Sequence, residues 1–537
     1  MEHLELVLAL IFVVAITGIL SKLTRFSLPL IQVFIGVILS QLPGFRNINL
    51  DPPFFFLLFI PPLLFSDSWL IPKREFFKYK WPILRLSIIL VFLNTLAIGY
   101  LTHWLFPGVS LAEGFVLGAA ISPTDAVATL SIMQKYKIPT SITSILNGES
   151  LVNDASGLVA FKFAIAAVLT GTFSLLNATW AFMLLVLGGI GVGLVVAWII
   201  SELRAIIAKR KLAEPFVQVT LSLLTPFAAY LVADNIHVSG ILAVVTAGIY
   251  AGMNDAKYMS RDTRMHATEV WSLLLYLLNG TVFLLLGHAL PKVISDLQMT
   301  GWHLLFAKAL LITLCMLVFR LICVFLSTYI PHWTTSQFKK KKNPSTPSLK
   351  NIFIIGWTGI RGAITLAATL SIPLTLADGT IFPNRELLIF LASAVIIITL
   401  LLQSASIPVL IKWLNLKDDG IAEKEEHFAR IKVLTAATIA LESRLKLSTA
   451  VEEQNQIVKI IERYNQRLLD ISLNTETSTS AVKKTKLEQM LRMVALKAER
   501  AELLHLRNIK AINENVMRLI ERELDYEEAF VRTFKTY

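Results

Sequence analysis

Gly118-Ala-Ala-Ile-Ser-Pro-Thr-Asp-Ala-Val-Ala128 sets a proline, two hydroxyls and a carboxylate inside an otherwise apolar run. Proline lacks an N–H and disturbs the preceding turn, so a helix here is interrupted and backbone carbonyls are freed. Freed carbonyls beside a carboxylate are what a dehydrated cation needs. Taken alone, the stretch also fits a proline kink with a polar patch. A second stretch, Ile355-Gly-Trp-Thr-Gly-Ile-Arg-Gly-Ala-Ile-Thr365, places Arg361 among glycines that loosen a helix. What two such interruptions mean depends on the apolar segments that contain them.

The chain has 537 residues, 55% of them hydrophobic and 16% charged, with a mean hydropathy of +0.64. Soluble globular proteins are usually about a quarter charged. The charge is also unevenly spread, at about 11% of residues before Lys417 and about 34% from Lys417 onward. Residues 1–416 therefore read as a membrane domain and residues 417–537 as a soluble tail. The tail carries only +1 of the net charge of +12. The basic excess lies between membrane segments, which marks topology and excludes nucleic acid as a partner. Cys315 and Cys323 share one apolar stretch, so neither a disulfide scaffold nor a cysteine-based metal site is available. Met1-Glu2-His3-Leu4-Glu5 lacks the basic start of a secretory signal, so the first apolar run is expected to stay as a span.

With about 20 apolar residues needed to cross a bilayer, thirteen segments are predicted, from near 4–21 to near 386–414. The second and ninth are short, and Pro61-Pro62 interrupts the third. Twenty Lys and Arg fall in loops after odd-numbered segments, against Arg46, Lys292 and Arg385 after even-numbered ones. That alternation fits the positive-inside rule, with the N-terminus outside and the tail cytoplasmic. No G-x-x-x-x-G-K-[ST] phosphate loop and no H-E-x-x-H helix occurs, which argues against an ATP-driven motor on this chain and an intramembrane metalloprotease. A carrier, a channel or a receptor remains.

The two interrupted segments, near 111–133 and 351–375, are seven apart and therefore cross in opposite directions. Paired broken helices in corresponding positions of an inverted repeat point to a transporter's substrate site. The predicted fold class is accordingly all-α, about thirteen transmembrane helices with inverted-topology repeats and two broken, crossing helices, followed by a helical tail. Segment six, near 141–171, adds Asn147-Gly-Glu-Ser-Leu-Val-Asn-Asp-Ala-Ser-Gly157. Helical spacing stacks Glu149 on Asn153 and Ser150 on Asp154. Ionisable groups at this depth are costly and are functional hypotheses by default. Hard oxygen ligands suit Na+ and similar ions; the bland alternative is a polar cluster gluing helices together. Arg361 needs a counter-charge, for which Glu149 and Asp125 are the candidates, unless it snorkels to an interface.

Phe59-Ile-Pro-Pro-Leu-Leu-Phe65 with Asp67, Ser122-Pro-Thr-Asp125, Gly148-Glu-Ser-Leu-Val-Asn-Asp154, Ser239-Gly-Ile-Leu-Ala243, Phe283-Leu-Leu-Leu-Gly287 and Ile360-Arg-Gly-Ala363 together resemble the sodium/proton exchanger family of monovalent cation:proton antiporters, and most closely its bacterial members with a cytoplasmic tail. The resemblance covers residues 1–416 in consistent order. It implies a core and a dimerisation subdomain, hence a homodimer, and two helices unwound where they cross. It implies that Asp154 carries the cation or the proton, and that Thr124, Asp125, Glu149 and Ser150 complete a sodium site. Asn153 would stabilise that site and Arg361 would pair with Glu149. Asn in place of a second Asp before Asp154 resembles the electroneutral branch, one cation per proton. No cofactor is implied beyond the transported Na+ and H+.

The expected function is secondary active exchange of Na+, Li+ or K+ for H+ across the cell membrane, serving pH and sodium homeostasis. Its partners are the monovalent cation, the proton and the lipid bilayer; it is not an enzyme. K+/H+ exchange at the same site and a gated cation channel are the alternatives. Lys162, eight residues past Asp154 and about 12 Å along the helix, reads as snorkelling or as biasing Asp154. Lys308, Arg320, His237, His266 and His288 read as interfacial, and Asp67 as a rim or capping group. In the tail, Leu487, Met490, Leu491, Val494 and Ala498 follow a helical period, fitting either a helical bundle that aids assembly or a regulatory domain.

Overall fold

The computed structural model describes residues 2–24, 27–42, 52–133, 136, 138–170, 175–210, 212, 214–296, 302–338, 348–376, 379–416, 418, 420–473, 479–509, 517, 520, 521 and 523–528. Two compact units result, Met1–Asp419 and Gly420–Tyr537. Among the described residues the first unit is helical, its one extended pairing being the bridge between Thr375 and Ile381.

Each of the thirteen predicted segments overlaps one helix or several consecutive ones among the described residues. Among the described residues, eight helices are long and apolar enough to cross a membrane on length and composition alone. Five segments fall outside that number. They include Glu2–Leu23, a 22-residue helix, and Leu28–Leu39, which has only 12 residues. Gly240–Tyr258 carries Asn254, Asp255 and Lys257 near its end. The remaining two are divided, into Leu111–Ile121 with Ala126–Met133 and into Leu349–Trp357 with Ala363–Leu370. One expectation needs correction: Pro52–Leu70 runs as a single helix with Pro61 and Pro62 inside it. Adjacent prolines remove two donors, but neighbouring helices in a membrane bundle can support the freed carbonyls.

The helices sort into two groups. Pro52–Leu70 packs on Pro215–Asn235 and Gly240–Tyr258, Leu175–Lys209 packs on Gly240–Tyr258, and Leu28–Leu39 packs on Arg261–Asp296. The second group joins Leu90–Leu105, Leu111–Ile121 and Thr140–Thr170, with Trp302–Phe338 packed on Leu349–Trp357 and on Arg385–Trp413. Leu28–Leu39 and Arg261–Asp296 meet backbone to backbone at Gly36 and Gly287, where a Cβ on Gly287 would lie 3.0 Å from the Gly36 Cα. Small residues permit this approach where lipid offers no hydrophobic drive for helices to pair. It accounts physically for the glycine that ends Phe283-Leu-Leu-Leu-Gly287.

The second unit is helical as well. Ile421–Leu447 packs on Val451–Leu473. The turn between them is pinned by Glu453, which accepts from the Ser448 hydroxyl at 2.7 Å and from Arg444 Nε at 3.0 Å. The Ser448 hydroxyl, with Arg444, holds the Glu453 carboxyl below its ordinary range. Leu496, Leu503, Met517 and Leu524 form a small buried cluster of this unit, and Arg500 bridges to Asp525 at 2.6 Å and Glu528 at 2.7 Å.

Candidate ion-binding site

The unwound stretches Ser122–Asp125 and Thr358–Gly362 lie between their half-helices and meet each other. The Asp125 N–H donates to the Ile360 carbonyl at 2.7 Å. A Cβ on Gly362 would lie 2.5 Å from the Asp125 Cβ, so only glycine fits where the strands cross. Gly362→Ala is expected to push the two stretches apart, lowering cation-dependent transport at least about tenfold, which corresponds to roughly 1.4 kcal/mol. Initial rates in reconstituted vesicles check this, with a size-exclusion profile to confirm folding.

Irregular backbone at membrane depth persists only where its polar groups find partners, and here they do. Ala126 N–H, at the start of one half-helix, donates to Ser150 Oγ at 3.1 Å. Gly359 N–H donates to Gln403 Oε1 at 2.8 Å, and Arg361 N–H to Thr399 Oγ1 at 3.5 Å. Asn153 Nδ2 donates to Thr124 Oγ1 at 2.8 Å, tying Thr140–Thr170 to the first unwound stretch. Ser150 and Asn153 thus act as fasteners of the crossing.

The arginines require a correction. Arg361 does not pair with Glu149. Its Nε donates to the Ile121 carbonyl at 2.7 Å, its Nη1 to the Gly359 carbonyl, and its Nη2 contacts Met316 Sδ at 3.1 Å. Ile121 closes the half-helix Leu111–Ile121, whose C-terminal carbonyls carry partial negative charge, so peptide dipoles meet the guanidinium directly while Glu149 acts on it without a hydrogen bond. Glu149 is paired with Arg320, through Nη1 to Oε1 and through Nη2 to Oε2 at 3.0 Å, and the same Nη2 reaches the Ile355 carbonyl at 3.2 Å. Both side chains are fully buried. Arg320 is therefore not interfacial. A sequence signal existed: Arg320 lies deep within the apolar helix His303–Tyr329, too far from either end to snorkel.

A cavity of about 730 Å3 opens beside the crossing, lined by Asp67, Thr124, Asp125, Ser150 and Asp154 among others. Glu149 is absent from its lining, because both of its oxygens are held by Arg320; Asn153 and Arg361 stand behind the wall. Of the five residues read from the sequence as a sodium site, Thr124, Asp125, Ser150 and Asp154 line this cavity and Glu149 does not. Asp67, read as a pathway-rim or capping group, faces the same space as Asp125 and Asp154; only folding brings it to Asp125, 58 residues away. Among the described residues the wall carries these three carboxylates and no Lys, Arg or His. Among the described residues, no three His, Cys, Asp or Glu side chains converge into a preformed metal cluster. The carboxylate and hydroxyl oxygens of this wall are hard donors, which suit hard cations and not soft transition metals.

The remaining charged groups lie elsewhere. Lys308 Nζ donates to the Leu105 carbonyl at 2.7 Å and sits 4.4 Å from the Phe106 ring centroid. His237 is exposed, and His266 and His288 are half-buried.

A many-helix membrane bundle with two unwound stretches crossing beside an acidic cavity defines a cation-transport protein. The chain belongs to the sodium/hydrogen exchanger family: residues 8–413 match the family described as "Sodium/hydrogen exchanger, transmembrane". It is 36% identical to the uncharacterized Na(+)/H(+) exchanger YjcE of Escherichia coli strain K12, over 99% of each chain. It is 35% identical to the sodium, potassium, lithium and rubidium/H(+) antiporter of Bacillus pumilus, over 100% of this chain and 79% of the relative. In fold it resembles the sodium proton antiporter MjNhaP1 of Methanocaldococcus jannaschii, with a TM-score of 0.61 at 18% identity over 77% of this chain and 99% of that one. The family is one of cation/proton antiporters in membranes, transporters and not enzymes.

Proposed function

We propose that the protein exchanges Na+ for H+ by alternating access, one for one, with Asp154 as the group that carries either species. The observation that carries this reading is the acidic, hydroxyl-bearing cavity at the crossing, whose wall holds no basic side chain among the described residues. Removing a carboxylate from bulk water favours its protonated form, so a proton and a cation compete for the same oxygens. Each turnover then loads one species on one face and the other on the opposite face, driven by the gradients and without ATP. Asp67, Thr124, Asp125 and Ser150 complete the cation's surroundings.

Asn153, bonded to Thr124, leaves one carboxylate in the Asn-Asp pair, which supports electroneutral exchange. The alternation of loop charge supports an outside N-terminus and a cytoplasmic tail in the cell membrane. The protein would act as a homodimer, and its work would be pH and sodium homeostasis. K+/H+ exchange is the second reading, favoured by the name of the 35% identical Bacillus pumilus antiporter, which includes potassium.

The test is cation-induced collapse of a pH gradient in proteoliposomes, with Na+, Li+ and K+ compared with and without a membrane potential. Exchange insensitive to the potential supports one-for-one coupling. Collapse by no cation would refute the reading, and single-channel conductance would replace it with a pore.

A further inference from the structure

Along two of its helices the cavity reaches the acids and goes no further. From Thr140–Thr170 it takes Ser150 and Asp154 and no residue beyond; from Pro52–Leu70 it takes Leu63 and Asp67 and none nearer the helix start. Tyr136, Ser272 and Pro408 line its other part. Lys162 and Phe56 therefore lie past the acids, on the side that the cavity does not reach and that is closed in that sense, on two antiparallel helices that share the acidic site.

Lys162 Nζ is 3.8 Å from Asp234 Oδ1. It lies 5.6 Å from the Tyr230 ring centroid and 5.8 Å from that of Phe56. The two rings are neighbours, with centroids 6.2 Å apart. A carboxylate and two aromatic faces make a seat for an ammonium group. The seat belongs to one helix group and the ammonium to the other: Phe56 lies on Pro52–Leu70 and Tyr230 and Asp234 on Pro215–Asn235, whereas Thr140–Thr170 packs chiefly on Lys80–Leu105 and Leu111–Ile121. A lysine that merely reached for lipid headgroups would not need this seat.

We propose that Lys162 is a positioning residue for exchange: its ammonium, seated on Phe56, Tyr230 and Asp234, latches the two helix groups together on the closed side of the ion site. This rests on the alternating-access reading. For the site to open past Asp154 toward Lys162, Thr140–Thr170 must shift against Pro52–Leu70 and Pro215–Asn235, and the ammonium must leave its seat. The latch lowers the population open on that face, and the apparent cation affinity there falls by the same fraction. The side chains of Lys162 and Asp234 are 45% and 56% exposed, so water screens the pair and its effect is modest.

The experiment measures half-saturating Na+ on each face, using vesicles of both orientations. Lys162→Gln and Asp234→Asn are each expected to lower it on the Lys162 face and raise it on the other, by about two- to fivefold. The double variant should shift no further than either single one, and Lys162→Arg should behave as the parent. Shifts in the same direction on both faces, or additive shifts in the double variant, would overturn the latch. A second readout does not need transport. Leu158 is 1% exposed and lies between Asp154 and Lys162. In a Cys315→Ser, Cys323→Ser background, Leu158→Cys should react faster with an impermeant thiol reagent from the Lys162 face when Asp234→Asn is added. Unchanged labelling counts against the latch alone, and a parent that exchanges no cation counts against the exchanger reading alone.

Discussion

Asp154→Asn is expected to give a folded protein that no longer collapses a pH gradient when Na+, Li+ or K+ is added. The amide keeps the shape and one acceptor oxygen of the carboxylate but can neither ionise nor take up a proton in exchange. Asp154 is 4% exposed and faces the cavity with Asp67 and Asp125, so bulk water does not substitute for the lost charge. A charged hydrogen-bonded contact is worth about 1.5–3 kcal/mol, which corresponds to roughly ten- to a hundred-fold in rate before the missing proton carrier is counted. Initial rates in proteoliposomes decide the matter. A variant that exchanges at the parent's rate would transfer the carrier role to Asp67 or Asp125.

The second large effect concerns stability. Arg320→Ala strands Glu149, which is 0% exposed and holds the guanidinium through both oxygens. Breaking a buried pair by removing one partner costs about 3–5 kcal/mol, because the remaining charge is left uncompensated. The purified variant should melt at a lower temperature than the parent. Glu149→Leu combined with Arg320→Met should recover much of the loss, since replacing both charges by apolar groups is often neutral. A melting temperature unchanged in Arg320→Ala would contradict the pairing. Arg361→Ala tests a different arrangement, the capping of Ile121 and Gly359 carbonyls, and should act chiefly on the crossing.

The two interrupted helices were legible from local chemistry, because Pro123 and the glycines around Arg361 act on their own turns. So were the acids of Thr140–Thr170, whose spacing along one helix determines which of them share a face. Partnerships between helices were less accessible. Arg361 and Arg320 both sit at membrane depth, and nothing in the order of residues says which one meets Glu149. The geometry depends on Arg361 folding back along its own unwound backbone, where peptide carbonyls serve as its partners, a solution invisible to a search for opposite charges. Asp67 sits near the end of Pro52–Leu70, and its sharing of one cavity with Asp125 and Asp154 depends on the packing of separate helices, which residue order does not reveal. Pro61-Pro62 misled in the opposite sense: two helix breakers side by side did not break the helix.

The polar fastening of the crossing has a consequence for its motion. The N–H groups of Asp125, Ala126 and Gly359 have no partner in a helical ladder, yet they donate to the Ile360 carbonyl, Ser150 and Gln403 inside the membrane unit. Deuterium should therefore enter these amides slowly, at rates like those of the flanking helices and unlike those of a loop. If so, the unwound region is a rigid cassette, and the ion is carried by displacement of the whole cassette with the helices that bind it.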